Sequence, residues 1–181
     1  MSRVVLVTGL QAAGKTTVAG LLARRISPLA AHFDGDVLYH AVVSGHVDMT
    51  PDPDPAAERE LRLRYEGSAL LASHYARNGV DFVCSDIIMG EDVTRWLDRV
   101  ADFERHLVVL CPSTEAVVAR EIGRGSNAYR DWGADLTAAV ESMRTDLDET
   151  PRRGLWLDSS GLSAEETVDR ILADGMLASR Y

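Results

Sequence analysis

The chain runs to 181 residues, with 19 basic and 28 acidic side chains, a formal charge of −9, 46% hydrophobic residues and only 6% aromatics. That length and apolar fraction suit one compact domain over residues 1–181 and exclude disordered, collagen-like and fibrous-repeat chains. A balance this acidic also makes a poor general binder of nucleic acid, whose phosphates need clustered Lys and Arg.

Val4-Val5-Leu6-Val7-Thr8 predicts a first strand buried on both faces. Gly9 to Thr17 forms a glycine-bearing loop, and Val18, Leu21, Leu22 and Ile26 space out a helix stopping near Pro28. A second strand is expected at Ala30–Phe33, leading into Asp34-Gly35-Asp36. A helix carrying Val37, Leu38, Tyr39 and Val42 then ends at Gly45. Three prolines, Pro51, Pro53 and Pro55, interrupt regular structure. Asp54 caps a long helix with Pro55 at its first position, running through Leu61, Tyr65, Leu70 and Tyr75 to Asn78-Gly79. Val80–Ser85 gives a third strand reaching Asp86, Val93–Val100 a helix, and Leu107–Cys111 a fourth strand, after which Pro112-Ser113-Thr114 opens another helix. The stretch from Gly123 to Gly133 turns polar and arginine-bearing, a mobile excursion before a further helix. Leu155–Asp158 gives a fifth strand, and Ser163-Ala164-Glu165-Glu166 a capping box for the last helix.

Short strands alternating with helices are the pattern of an α/β fold with a parallel sheet covered on both faces. Ligands bind such sheets at the carboxyl ends of the strands, which brings Thr8, Phe33, Asp86, Cys111 and Asp158 to one working edge. No stretch approaches the ~20 apolar residues of a spanning helix, so no membrane partner is expected. The apolar run after Arg3 is too short for a secretory leader. Cys84 and Cys111 lack a C-x-x-C partner and read as packing residues, which points to a reducing, cytoplasmic compartment. The five histidines make no ligand pair, and Trp96, Trp132 and Trp156 read as core or rim residues, although Trp132 could stack on a ligand ring.

Gly9 to Thr16 matches G-x-x-x-x-G-K-[ST], and Lys15 within it is the one lysine of the chain. The glycines permit the close backbone approach that lets successive N–H groups surround a phosphate chain at a helix N-terminus. Gly9, Leu10, Gln11, Ala12, Ala13, Gly14, Lys15, Thr16 and Thr17 are therefore the expected nucleotide cradle. Lys15 supplies a charge to the β- and γ-phosphates of ATP, and the Thr16 hydroxyl a ligand to Mg²⁺. Guanine-reading N-K-x-D motifs need a second lysine, and large motor ATPases need more chain. A compact kinase remains.

The P-loop at residue 9, Phe33-Asp34-Gly35-Asp36 after the second strand and an arginine-bearing segment after the fourth resemble the small-molecule P-loop kinases. Asp34-Gly35-Asp36 is similar to the acidic pair of shikimate, gluconate and adenylylsulfate kinases. A tighter resemblance, over nearly the whole chain, is to the chloramphenicol phosphotransferase-like proteins. It rests on Val83-Cys84-Ser85-Asp86 with Ile87-Ile88-Met89, on Cys111-Pro112-Ser113-Thr114-Glu115 with Ala119-Arg120-Glu121 and Arg124-Gly125, and on Leu157-Asp158-Ser159-Ser160. The resemblance implies a P-loop NTPase three-layer α/β/α sandwich with strand order 2-3-1-4-5 and a lid about residues 123–134. It also implies ATP-dependent phosphorylation of a small-molecule hydroxyl, often on an antibiotic. The chain departs from the family pattern in its Gln11-Ala12-Ala13 loop and doubled aspartate, so chloramphenicol itself is not expected.

Within that resemblance Asp36 matches the catalytic aspartate. An attacking alcohol must lose its proton, which a carboxylate in reach accepts; the plainer alternative is an N-cap of the helix from Val37. Asp34 orients Asp36, touches a metal-bound water, or simply forms an Asx turn. Asp86 is a candidate for the magnesium shell or a cap for the turn at Gly90. Arg124 and Arg130 are implied lid residues closing over ATP, Arg120 is expected on a solvated face, and Arg152 and Arg153 could reach the adenine end. Residues about 40–76 would form the acceptor side. The alternatives are a nucleoside, nucleotide or polynucleotide 5′-kinase, and a nucleotide sensor without catalysis.

Overall fold

The computed structural model describes residues 2–50, 52–125, 129 and 135–181. Among these, five strands form one parallel sheet: β1 (Arg3–Gly9), β2 (Ala30–Asp34), β3 (Asp81–Ser85), β4 (Glu104–Leu110) and β5 (Leu155–Leu157), in the order β2-β3-β1-β4-β5. The register pairs Val7 of β1 with Ser85 of β3 on one side and with Val108 of β4 on the other. The helices are α1 (Lys15–Ile26), α2 (Asp36–Tyr39), α3 (Pro55–Arg77), α4 (Glu91–Asp98), α5 (Thr114–Arg124), α6 (Leu136–Asp148) and α7 (Ala164–Leu172).

Side chains alternate across a strand, so one aliphatic run serves two cores. Val4 and Leu6 of β1 pack with Ala72, Phe82, Trp96 and Leu107 on the α3–α4 face. Val5 and Val7 pack with Val18, Leu22, Val108 and Ile171 on the α1–α7 face. All four are fully buried, which makes β1 the axis of an α/β/α sandwich, with the strand order that the family resemblance implies. The chain leaves β1 toward β2 on one side and later returns to β4 on the other, and a reversal of this kind opens a crevice above β1. The loop Gly9–Gly14 emerges there.

Local signals set most helix ends. Asp54 accepts from the Ala56 amide at 2.7 Å to start α3 with proline at its first position. Ser163 and Glu166 form the expected reciprocal capping box of α7. The helix expected from Val37 to Gly45 is instead a single turn, α2, ending at Tyr39. Side-chain ties replace it: Glu60 of α3 accepts from the Val47 amide at 3.2 Å and meets His46 Nδ1 at 2.7 Å. Tertiary bonds thus override a weak local pattern containing β-branched Val42 and Val43. Strand β4 begins at Glu104, earlier than its apolar run at Leu107, because Arg3 and Val4 pair with Glu104 and Arg105.

Candidate active site

The P-loop is held from below and from both sides. A Cβ on Gly9 would run into the Leu110 carbonyl of β4, and its φ of 142° is one that L side chains rarely adopt. Only glycine lets the loop leave the sheet here. Ala12 stands at φ 60°, a left-handed conformation that costs about 1–2 kcal/mol for a residue with a Cβ. The Leu10 carbonyl accepts from the Ala13 amide at 3.1 Å and from Lys15 Nζ at 2.8 Å. Burial pushes the Lys15 ammonium down to about 8, against the pull of Asp86, Asp36 and Asp34. Thr16 and Thr17 are exposed at the first turn of α1.

Two further ties fix the loop. Arg120, expected on a solvated face, donates to the Ala13 carbonyl at 3.3 Å and to the Ser159 carbonyl at 2.7 Å, lashing the P-loop to the exit of β5. Its position inside α5 beside Glu121 gave no hint of partners 107 and 39 positions away. Tyr129, buried, donates its hydroxyl to the Gln11 carbonyl at 3.0 Å. Arg130 and Trp132 lie outside the described residues.

The acidic side is built from β2, α2 and β3. Asp34 accepts from the Asp36 amide at 3.2 Å, an Asx turn. The helix starts at Asp36 itself and its N-cap is Gly35, so the alternative of Asp36 as a cap is set aside. Gly35 packs against the Asp86 carboxylate so closely that a Cβ would overlap it. Asp86 is not a cap for the turn at Gly90, whose amide donates to Thr150 at 2.7 Å. It is buried and accepts from Arg64 through Nε at 2.9 Å and through Nη2, and from the Ile87 amide at 2.7 Å. Burial pushes the Asp86 carboxyl up, while Arg64, Ile87 and Lys15 oppose that push. Arg64 Nη2 also reaches Asp36 Oδ1 at 3.5 Å.

Two cavities meet at these residues. A niche of about 60 Å³ is lined by Gly14, Lys15, Thr16, Asp34, Asp86 and Arg124 among others. A cavity of about 470 Å³ opens beside it between the segment after α2, helix α3 and the methionines Met89 and Met143. Gln11, Asp36, Arg64 and Ile87 line both. On the outer wall of the larger cavity His46 sits between Glu60, at 2.7 Å from Nδ1, and Asp48, at 3.0 Å from Nε2. The Tyr39 hydroxyl donates to Asp48, and burial with that bond pushes it up to about 12. The His46 pKa is raised by its bonds to Asp48 and Glu60.

Magnesium fits this donor set. The ion keeps several waters and takes one or two protein ligands beside substrate phosphates, so the lack of a three-residue His/Cys/Asp/Glu cluster among the described residues is compatible with it. Thr16 and the carboxylates of Asp34 and Asp36 face the niche, whereas Asp86 faces it with Arg64 already on both oxygens.

The sequence model of the chloramphenicol phosphotransferase-like proteins matches residues 2–172. The chain belongs to this family. No curated protein sequence matches it. Among solved structures, the protein APE1195 aligns at 25% identity and TM-score 0.69, over 94% of this chain and 92% of its own. A gluconokinase from Sinorhizobium meliloti 1021 aligns at 19% identity and TM-score 0.66, over 95% and 90%. A sugar kinase from Janibacter sp. HTCC2649 gives 18% identity and TM-score 0.64, over 95% and 93%. This member of the phosphotransferase-like family shares their fold.

Sequence reasoning missed Arg64 and the His46–Asp48–Glu60 cluster. Arg64 sits in a helix with Arg59 and Arg62, and nothing in that run marks one arginine as the buried one. Of the two arginines that could reach the adenine end, Arg152 pairs with Asp148 at 2.7 Å and covers Trp156, and Arg153 lies over Tyr181. Cys84 and Cys111 are free thiols, as expected of packing residues. No helix among the described residues is long and apolar enough to cross a membrane.

Proposed function

We propose that the chain is an ATP- and Mg²⁺-dependent phosphotransferase acting on a hydroxyl group of a small molecule, with an antibiotic among the acceptors to test. One observation carries this reading: Asp36 stands where the P-loop niche opens into the larger cavity, in contact with both. A γ-phosphate on one side and an alcohol on the other would meet at its carboxylate. Family membership and the kinase folds of the structural relatives support the same class of chemistry.

The amides of Gly9 to Thr17 and the Lys15 ammonium bind the triphosphate tail. Thr16 would hold Mg²⁺, with the Asp86 carboxylate lining the same niche. When bound, the ion offsets charge on the β- and γ-phosphate oxygens. The acceptor oxygen attacks the γ-phosphorus, its proton passes to Asp36, and the bond from phosphorus to the β-bridging oxygen breaks to release ADP. Arg124, exposed at the end of α5 and lining the niche, with Arg130, closes over the transferring group from a lid about residues 123–134. Residues about 40–76 form the acceptor side of a single kinase domain, and the enzyme works in the cytoplasm, where ATP is supplied.

The test is mass spectrometry of a mixture of hydroxyl-bearing metabolites and antibiotics incubated with the protein and Mg·ATP. A compound that gains one phosphate, only when ATP is present, is the expected result. Nucleotide binding without transfer to any hydroxyl compound removes the kinase reading in favour of a sensor.

A further inference from the structure

We propose that the acceptor is a cation: a hydroxyl compound carrying a protonated amine or guanidine on an apolar body. This rests on reading the 470 Å³ cavity as the acceptor side, and it goes further by assigning the charge of what enters there.

The cavity has the volume of a drug-sized ligand and a largely apolar surface, including Leu38, Leu61, Met89 and Met143. Two methionines adapt to irregular apolar shapes. The charged lining is one-sided. Asp36, Asp48, Glu60, Asp92 and Asp146 face the cavity, against the single guanidinium of Arg64. Arg64 is committed to Asp86 through two hydrogen bonds and lies 3.5 Å from Asp36, so it offers little to an entering anion. His46, set between Asp48 and Glu60, offsets that pair from the outer wall.

On the opposite wall no such neutraliser stands among the described residues. Asp146 on α6 forms no ion pair among the described residues, and burial, with Glu149 nearby, pushes its carboxyl above the ordinary value. Among the described residues Asp92, in the first turn of α4, pairs with Arg95 alone, at 2.9 Å and on a guanidinium that is 73% exposed. An exposed pair of this kind is weak and exchangeable. A carboxylate at the rim of a largely apolar cavity, with no cationic partner among the described residues, is the complement of an ammonium group. An anionic acceptor would meet several like charges at once, and a neutral one would gain nothing from the carboxylates that line the cavity.

The experiment compares three matched probes by calorimetry: 2-amino-1-phenylethanol, its N-acetyl amide and its N-succinyl acid, each with and without a non-hydrolysable ATP analogue and Mg²⁺. The amine is expected to bind at least about tenfold more tightly than the amide, with the acid weakest and the preference shrinking at high salt. Asp146→Asn, a change at an exposed helix position, should remove most of that preference while leaving the amide's affinity unchanged. Equal binding of the three probes, no binding of the amine, or a preference for amide or acid overturns the proposal, and so does an Asp146→Asn variant that keeps the full preference. The arms without nucleotide decide the cavity's charge preference by themselves. A protein that takes up no nucleotide loses the kinase reading, whereas phosphate transfer confined to neutral or anionic hydroxyl compounds keeps that reading and removes the cation.

Discussion

Arg64 of α3 holds the carboxylate of Asp86 at the end of β3 with both Nε and Nη2, and the two side chains are 10% and 0% exposed. Breaking such a pair from one side leaves a buried charge without compensation, at a cost of about 3–5 kcal/mol. Arg64→Leu should therefore lower stability by that order in urea unfolding. The double change Arg64→Leu with Asp86→Leu should recover a large part of it, since two apolar side chains need no partner. A double variant no more stable than the single one would show that the pair's surroundings, including the Gly35 contact, matter more than the charges.

Asp36 shares Arg64 with Asp86, but only at 3.5 Å and from an exposed position, its side chain being 65% exposed. Asp36→Asn keeps shape and removes the base. Turnover should fall about 10²–10⁴-fold, the usual weight of a positioned general base, while nucleotide affinity stays within a few-fold of the parent. Unchanged turnover in rapid-quench assays takes Asp36 out of the proton path.

Arg120 ties the P-loop to β5 through the carbonyls of Ala13 and Ser159. Arg120→Ala should loosen the cradle rather than the chemistry. Hydrogen bonds from a charged donor are worth about 1.5–3 kcal/mol each, reduced here because the side chain is half-buried, so the KM for ATP should rise about tenfold with kcat changed much less. A fall in kcat at constant KM would instead place Arg120 on the transferring phosphate.

These cases show what could be read before folding. The P-loop, the strand–helix alternation and the caps at Asp54 and Ser163 were legible because each is set by residues a few positions apart. The sheet order was legible only through the family resemblance, not from strand patterns. Arg64–Asp86, Arg120–Ala13 and His46–Glu60 were not, because each joins elements far apart in the chain and neither partner carries a local signature. The helix expected over residues 37–45 failed for the same reason: Glu60, on another helix, captures His46 and the Val47 amide.

His46 makes the outer wall of the larger cavity sensitive to pH. Its bonds to Asp48 and Glu60 raise its pKa above the ordinary ~6.5, so the folded state favours the charged ring. The stabilisation is then fully present below about pH 6.5 and is lost as pH rises through the raised value. Hydrogen exchange at the Val47 amide, corrected for its intrinsic pH dependence, should lose protection over that window. Glu60→Gln should bring the imidazole titration seen by NMR back toward the ordinary value. An unshifted His46 in the parent protein would mean that the two carboxylates do not hold the ring in solution.

Lys15 carries the opposite sign. Burial depresses it to about 8, so between that pH and its unfolded value near 10.5 the unfolded chain binds the extra proton, and stability rises with pH across that interval. At pH 7 the folded protein must keep an ammonium in a place that disfavours it. Lys15→Met should accordingly stabilise the nucleotide-free protein by about 1–3 kcal/mol while abolishing nucleotide binding, a trade of stability for function at a site built for a ligand. A triphosphate placed against Lys15 adds negative charge and raises the depressed pKa again. Binding at pH 8.5 should then take up as much as about three-quarters of a proton, read by calorimetry in buffers of different ionisation enthalpy, and far less at pH 6.5, where the ammonium is already formed. Nucleotide binding with no proton uptake at the higher pH would mean that the phosphates do not approach this lysine.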